Sequence, residues 1–254
     1  PEHIKRADII AHLAAKDFYY EDEVQRYSSY ISNNVVGTSR VFEWGNELGI
    51  DKFIFTSTHS VYGKTKKKVF TEKDIVPKPV SPHGASKLSA EHAVRFLSRT
   101  YDITTIILRV STIYGPDMLE HQVIPYFMRS IYEKKPLELH VSPKTTRDFV
   151  YIDDVVDAII SCFDKRLTLQ TINVGYGKSY SLEEVANKIG EMLHEEKPKI
   201  TFKDTKVEHI DKITADEVKL SIARAKKLLD YEPKVALDEG LKKSIDWFIE
   251  NDGF

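Results

Sequence analysis

Cysteine is nearly absent: the single Cys162 in 254 residues has no partner for an intrachain disulfide and cannot contribute to a Cys-rich zinc site. No apolar run reaches the ~18 residues that a membrane-spanning helix needs. The N-terminal stretch also lacks the basic-then-apolar order of a secretory signal. An excess of one charge is missing too. The 37 basic and 39 acidic residues give a net charge of −2, which provides no electrostatic drive toward nucleic acid or an anionic membrane. No acidic, His or Cys cluster has metal-ligand spacing. The class expected from these absences is a soluble, cytoplasmic globular protein with no metal, nucleic-acid or membrane partner.

What is present is an alternation of apolar runs and helical patterns. "ADIIAHLAA" (Ala7–Ala15) reads as a short strand, followed by a polar stretch to about Tyr27 and a helical pattern from about Ser28 to Leu48 that stops at Gly49. "KFIFTST" (Lys52–Thr58) and "TTIILRV" (Thr104–Val110) have the near-continuous apolar, β-branched character of strands buried on both faces. Between them, a Lys- and Pro-rich loop with "KTKKK" at its tip leads to "SPHGASKL". Ser81 as N-cap and Pro82 at the first helical position predict a helix over about Pro82–Thr100. This order predicts right-handed crossovers and a parallel sheet. Beyond "IYGPD" the segments shorten, and Ser181 with Glu184 forms a capping box. The expected fold is α/β, a doubly wound parallel (Rossmann-type) sheet with a smaller C-terminal α/β lobe. The expected division is 1–115, with parts of 148–175 returning to it, against 116–254.

A doubly wound sheet that holds a dinucleotide ordinarily opens on a strand, a glycine-rich turn and a helix N-terminus. No G-x-G-x-x-G or G-x-x-G-x-x-G pattern occurs here, and the sequence starts at Pro1 and enters a strand within ten residues. The expectation is that about 60 further residues precede it in the natural protein.

The fragments "HLAA", "NNVVGT", "TSTHSVYG", "SPHGASK", "LRVSTIYGP", "TTRDFVYIDDVVDAI", "INVGYGKSYSLEEVA" and "ARAKKLLDYEP" occur in that order. Together they resemble the extended short-chain dehydrogenase/reductase family, specifically its nucleotide-sugar epimerases and dehydratases. The resemblance implies an NAD cofactor (NADP stays open), a nucleotide-sugar substrate, most simply a UDP-hexose, and hydride transfer at a sugar carbon. It implies catalytic roles for Thr58, which bonds the reacting sugar oxygen, and for Lys87, which holds the nicotinamide ribose. Ala14, Ala15, Asn34 and Ser57 fall at cofactor positions, with Asn34 supporting the lysine. Arg147 and Thr112 fall where the family contacts the substrate's diphosphate, although Thr112 replaces a common asparagine. "EHIDKIT" near Asp211 lacks a second phosphate-binding arginine. The resemblance also implies a homodimer through the helices beginning near Tyr30 and Pro82.

The departure lies in the Tyr-x-x-x-Lys pattern, where His83 takes the tyrosine's place. A histidine titrates near 6.5 and neighbouring cations push it lower, so His83 is expected to be a neutral ring at pH 7, a proton acceptor but a poor donor. The dehydratases' Asp-Glu pair is replaced by His59 and Ser60, which leaves epimerisation or simple reduction. A non-catalytic nucleotide-sugar or dinucleotide sensor, or a scaffold, stays open beside the epimerase. His12 and Cys162 read as core residues, and Asp153 with Asp154 as a helix start facing its dipole.

Overall fold

The structure is a computed structural model that describes residues 4–17, 27–63, 67–74, 79–139, 141–143, 145–194, 196–203 and 219–251. The Asp211 segment and the first three residues of "KTKKK" lie outside the described residues.

Strands β1 (Ile9–His12), β2 (Lys52–Thr58), β3 (Thr104–Val110) and β7 (Gln170–Val174) form a parallel sheet in the order β1-β2-β3-β7. Alternate residues of β2 and β3 feed two cores. Phe53, Phe55 and Ile107 pack with α2 (Thr38–Glu47) and α3 (Pro82–Tyr101), through Phe42, Ala90, Val94 and Leu97. Ile54, Ile106 and Leu108 pack on the opposite face with α5 (Ile152–Ser161) and α7 (Ala223–Leu229), through Val155, Ala158, Ile159, Ala225 and Leu229. Helices on both faces explain why β2 and β3 are apolar at almost every position.

The remaining elements build a second core. β4 (Thr112–Tyr114) pairs parallel with β6 (Thr146–Tyr151), which pairs antiparallel with β8 (Ser179–Ser181), while β5 (Leu137–Leu139) pairs with β9 (Ile200–Phe202). Helices α4 (Val123–Tyr132), α6 (Leu182–His194) and α8 (Leu237–Glu250) close over them through Phe127, Val185, Ile189, Leu241 and Phe248.

The expected strands β2 and β3 have the observed limits, and α3 runs one residue further than expected, to Tyr101, before Asp102 turns left-handed at φ 55°. The first strand is shorter than expected, because Leu13–Ala15 leave the ladder and are exposed. The helical pattern after Tyr27 is broken in three: α1 (Tyr27–Tyr30), a π-helical stretch (Ile31–Gly37) and α2. Asp154 does more than face a helix dipole, since its carboxylate accepts from the backbone N–H groups of Lys234 (2.7 Å) and Val235 (3.2 Å). Cys162 is buried, as expected of a core residue. Among the described residues no helix is long and apolar enough to cross a membrane.

Candidate active site

In-register pairing sets Ser57 and Thr58 at the end of β2 beside Arg109 and Val110 at the end of β3. The C-terminal ends of the strands open on a cleft of about 710 Å³, the side on which parallel sheets bind ligands. Of the expected site residues, Ala15, Ser57, Thr58, His83, Lys87, Thr112 and Arg147 line this cleft. Ala14 is exposed two residues after β1, and Asn34 is fully buried.

The start of α3 is held tightly against the end of β2. Ser81 Oγ accepts from the Gly84 N–H at 3.0 Å, and a Cβ on Gly84 would come within 2.6 Å of the Ser60 carbonyl oxygen. Only glycine lets the helix come this close, and that approach puts His83 beside Thr58–Ser60. Thr58 Oγ1 accepts from the Ser60 N–H at 3.2 Å and so caps the short 3-10 turn His59–Tyr62 while lining the cleft.

His83 Nδ1 lies 3.2 Å from the Lys16 carbonyl oxygen. A carbonyl only accepts, so Nδ1 carries the proton, and Nε2 of the neutral ring is left as the proton acceptor. Burial lowers the His83 pKa below 6.5. The Asp17 carboxylate and the Lys16 carbonyl work against that shift, and Lys87 adds to it. The expected direction therefore holds, but desolvation is its main cause rather than the neighbouring cation.

Lys87 is 3% exposed, with its ammonium 4.2 Å from the centroid of the Phe55 ring. Burial draws its pKa down to about 8 against the opposing carboxylates of Glu91 and Asp17. Asn34 does not reach the ammonium. Its amide donates to the Lys16 carbonyl (3.0 Å) and the Ser86 hydroxyl (2.9 Å), and its carbonyl oxygen accepts from the Lys16 N–H at 2.6 Å. Ser86 in turn donates to the His83 carbonyl at 2.9 Å. Asn34 thus ties the loop after β1 to the first turn of α3, and it sits in the π-helical stretch, a feature common at functional sites. Thr38 donates to the Asn34 carbonyl, so the Thr38 oxygen accepts from His12 Nε2–H at 3.0 Å. His12 is therefore a satisfied core histidine. Burial and then Lys87 hold its pKa near 4.

Two further residues of the site have no role assigned from the sequence. Glu91, one turn after Lys87, accepts from Ser57 Oγ at 2.6 Å and from Arg109 Nε and Nη2 at 2.9 and 2.7 Å. Ser57 therefore spends its hydroxyl on Glu91. An arginine inside the apolar run "TTIILRV" was the available signal, because a buried guanidinium requires a carboxylate. The other residue is Asp17, the only carboxylate among the described residues lining the cleft.

Arg147, which also lines the cleft, donates from Nη1 to the Thr146 carbonyl at 2.8 Å. Its neighbour Asp148 is engaged elsewhere, accepting from the N–H groups of Tyr176, Gly177 and Leu220. His59 Nδ1 meets the Val110 carbonyl at 3.4 Å, and burial, then Arg147, lowers its pKa to about 4.

The sequence model of the NAD dependent epimerase/dehydratase family matches residues 2–175. The UDP-glucuronate 4-epimerase of Thermodesulfobacterium geofontis is 34% identical over 226 residues, covering 87% of this chain and 67% of that protein. The dTDP-D-glucose 4,6-dehydratase of Homo sapiens is 29% identical over 251 residues, covering 97% of this chain and 70% of that protein. Among solved structures, one is a tyrosine-to-phenylalanine variant of the Bacillus cereus UDP-glucuronic acid 4-epimerase in complex with UDP-4-deoxy-4-fluoro-glucuronic acid and NAD. It matches with a TM-score of 0.89 at 27% identity, covering 98% of this chain and 78% of that one. The parallel sheet, the cleft at its strand ends and these matches agree: the chain belongs to the NAD-dependent epimerase/dehydratase family.

Proposed function

We propose that the protein is an NAD-dependent nucleotide-sugar 4-epimerase acting on a UDP-hexose or the corresponding uronate. The observation that carries this reading is the convergence of Thr58, His83 and Lys87 on one cleft that Arg147 and Thr112 also line. The strand-end residues suit the nicotinamide end of the cofactor. Leu13 and Ala15 offer an apolar surface, short-chained at Ala15, and Lys87 offers a cation placed to bond ribose hydroxyls. When bound, NAD supplies the acceptor and later the donor of a hydride at the sugar carbon.

The chain's own residues handle the proton and the orientation. Thr58 donates a hydrogen bond to the reacting sugar oxygen. His83 Nε2 takes the hydroxyl proton as the carbonyl forms and returns it after the sugar has turned over. Arg147 and Thr112 hold the diphosphate, a task suited to a guanidinium fork. Elimination of water is disfavoured as the chemistry, because His59 is held neutral and Ser60 is a hydroxyl, so neither is an acid at pH 7. In this reading 1–115 with parts of 148–175 serve the cofactor and 116–254 mainly the sugar, in a cytoplasmic homodimer. The dimer would use the helices beginning near Tyr30 and Pro82, where Val36, Phe96 and Tyr101 are exposed.

A second reading has its own support in the lowered His83 pKa, which favours accepting a proton over returning one. It makes the protein a binding-only sensor of the same ligands. Incubation with NAD⁺ and UDP-galactose or UDP-glucuronate, followed by proton NMR, separates the two. Appearance of the C4 epimer supports the enzyme. Saturable ligand binding by calorimetry without any epimer would overturn it in favour of the sensor.

A further inference from the structure

His83, expected in the place of the family's tyrosine, has a second feature on the opposite side of its ring. The Nδ1 edge faces the loop after β1, where the Lys16 carbonyl accepts at 3.2 Å and the Asp17 carboxylate stands 4.0 Å away. The imidazole is 13% exposed and the carboxylate 53%. Asp17 is itself held from the sugar-binding half, since Gln122, which precedes α4, donates from Nε2 to Asp17 Oδ2 at 3.4 Å.

We propose that Asp17 is a positioning residue for His83: its carboxylate sits at the Nδ1 edge, opposite the Nε2 edge that takes the sugar proton, and stabilises the imidazolium that forms. The proposal rests on the reading of His83 as the proton-transfer group and deepens it. A histidine in this cleft meets the Lys87 ammonium one turn along α3, and the neutral His59 of the 3-10 turn after β2 carries the influence of Arg147 of β6, while Lys16 reaches the ring through its carbonyl. The Lys16 carbonyl and the Asp17 carboxylate both favour the protonated ring, and Asp17 brings the only negative charge, being the only carboxylate among the described residues lining the cleft. Without it, a proton accepted at Nε2 produces a buried cation close to Lys87, and taking the proton becomes the difficult step. With it, the charge is shared with Asp17, and the ring can both take the proton and hold it until the sugar has turned over. Proton balance is internal: the proton leaves the sugar oxygen for Nε2 and goes back to that oxygen, while the Nδ1 proton stays where it is.

The test reads the ring itself. In imidazole-labelled protein without substrate, the His83 resonance is assigned by its loss in His83→Gln, and its midpoint is followed by NMR in wild type, Asp17→Asn and Asp17→Glu. Asp17→Asn is expected to lower the midpoint by about 0.5–1 pH unit, the size of effect an exposed carboxylate exerts at this distance. Asp17→Glu is expected to restore most of that shift, with thermal stability unchanged in both variants. A purely structural role would leave the midpoint alone. An unchanged or raised midpoint in Asp17→Asn would overturn the proposal even if the protein epimerises sugars. A lowered midpoint in a protein that turns over no sugar would sustain the Asp17–His83 coupling while the functional reading fails.

Discussion

Glu91 on α3 and Arg109 on β3 form a two-pronged ion pair, at 2.9 and 2.7 Å, with both side chains out of solvent. Arg95 adds a second arginine to the same carboxylate at 3.1 Å, and the Arg109 guanidinium lies over the Tyr62 ring. The pair therefore fixes α3 against the strands one turn from Lys87. Removing one partner strands a buried charge, so Glu91→Ala should cost about 3–5 kcal/mol. Replacing both partners, as Glu91→Leu with Arg109→Met, should recover most of that loss. Urea denaturation of the two variants checks the contrast.

Gly84→Ala should leave the sheet intact and damage the site. The added methyl meets the Ser60 backbone at 2.6 Å, so α3 must withdraw from the 3-10 turn and carry His83 with it. A displacement of this kind is expected to lower kcat/KM by about 100-fold. Stability should fall by only about 1–3 kcal/mol. Steady-state kinetics beside a melting curve distinguishes the site effect from general unfolding.

Stability should decline on the acid side. His12 and His59 both have folded pKa values near 4, below the ordinary 6.5, with burial as the chief cause. Between about 6.5 and 4 the unfolded chain binds protons that the folded chain does not. The stability these neutral rings contribute is thus complete above 6.5 and is lost as pH falls through 4. Melting temperature against pH should show that slope, and His59→Gln should flatten it.

Lys87 gives the same sign at the alkaline end, because its pKa is also lowered in the folded state. With its pKa near 8 in the folded state, the unfolded chain holds more protons between about 8 and 10.4, so this group's contribution improves as pH rises through that range. Lys87→Met should therefore melt a few degrees above wild type at pH 7, a gain of roughly 1–3 kcal/mol. That difference should shrink above pH 8. The same variant should lose turnover, the exchange of stability for function expected of a buried charge at a working site.

Turnover by wild type should follow a bell-shaped pH profile. The acid limb lies below 6.5, where His83 becomes protonated and can no longer take the sugar proton, and the alkaline limb lies near 8, where Lys87 loses its charge. An acid limb that persists unchanged in His83→Tyr would place the titrating base elsewhere.

The readable parts of the fold were those whose local chemistry and tertiary role coincide. β2 and β3 are buried on both faces and so are apolar throughout. Ser81–Pro82 starts α3 as caps do, and the Ser181–Glu184 box closes as expected, with Glu184 N–H donating to Ser181 Oγ at 3.0 Å. The π-helical stretch was not readable, because one extra residue in a turn barely changes the spacing of apolar positions. What fixes it is remote: Asn34 bonds Ser86 fifty-two residues away, and Thr38 bonds His12. The cleft residues Thr58, His83 and Lys87 were found through motif spacing. Glu91 and Asp17 were not: Arg109 in its apolar run signals a buried carboxylate without saying which one, and nothing local to Asp17 marks it.

The most direct measurement compares wild type, His83→Tyr and His83→Phe for C4 epimerisation of UDP-galactose and UDP-glucuronate with NAD⁺ present. Turnover by wild type and by His83→Tyr, with His83→Phe reduced at least about 100-fold, is the result expected if the residue at 83 moves the proton. Equal rates in wild type and His83→Phe would contradict that role and put the proton transfer on another group of the cleft.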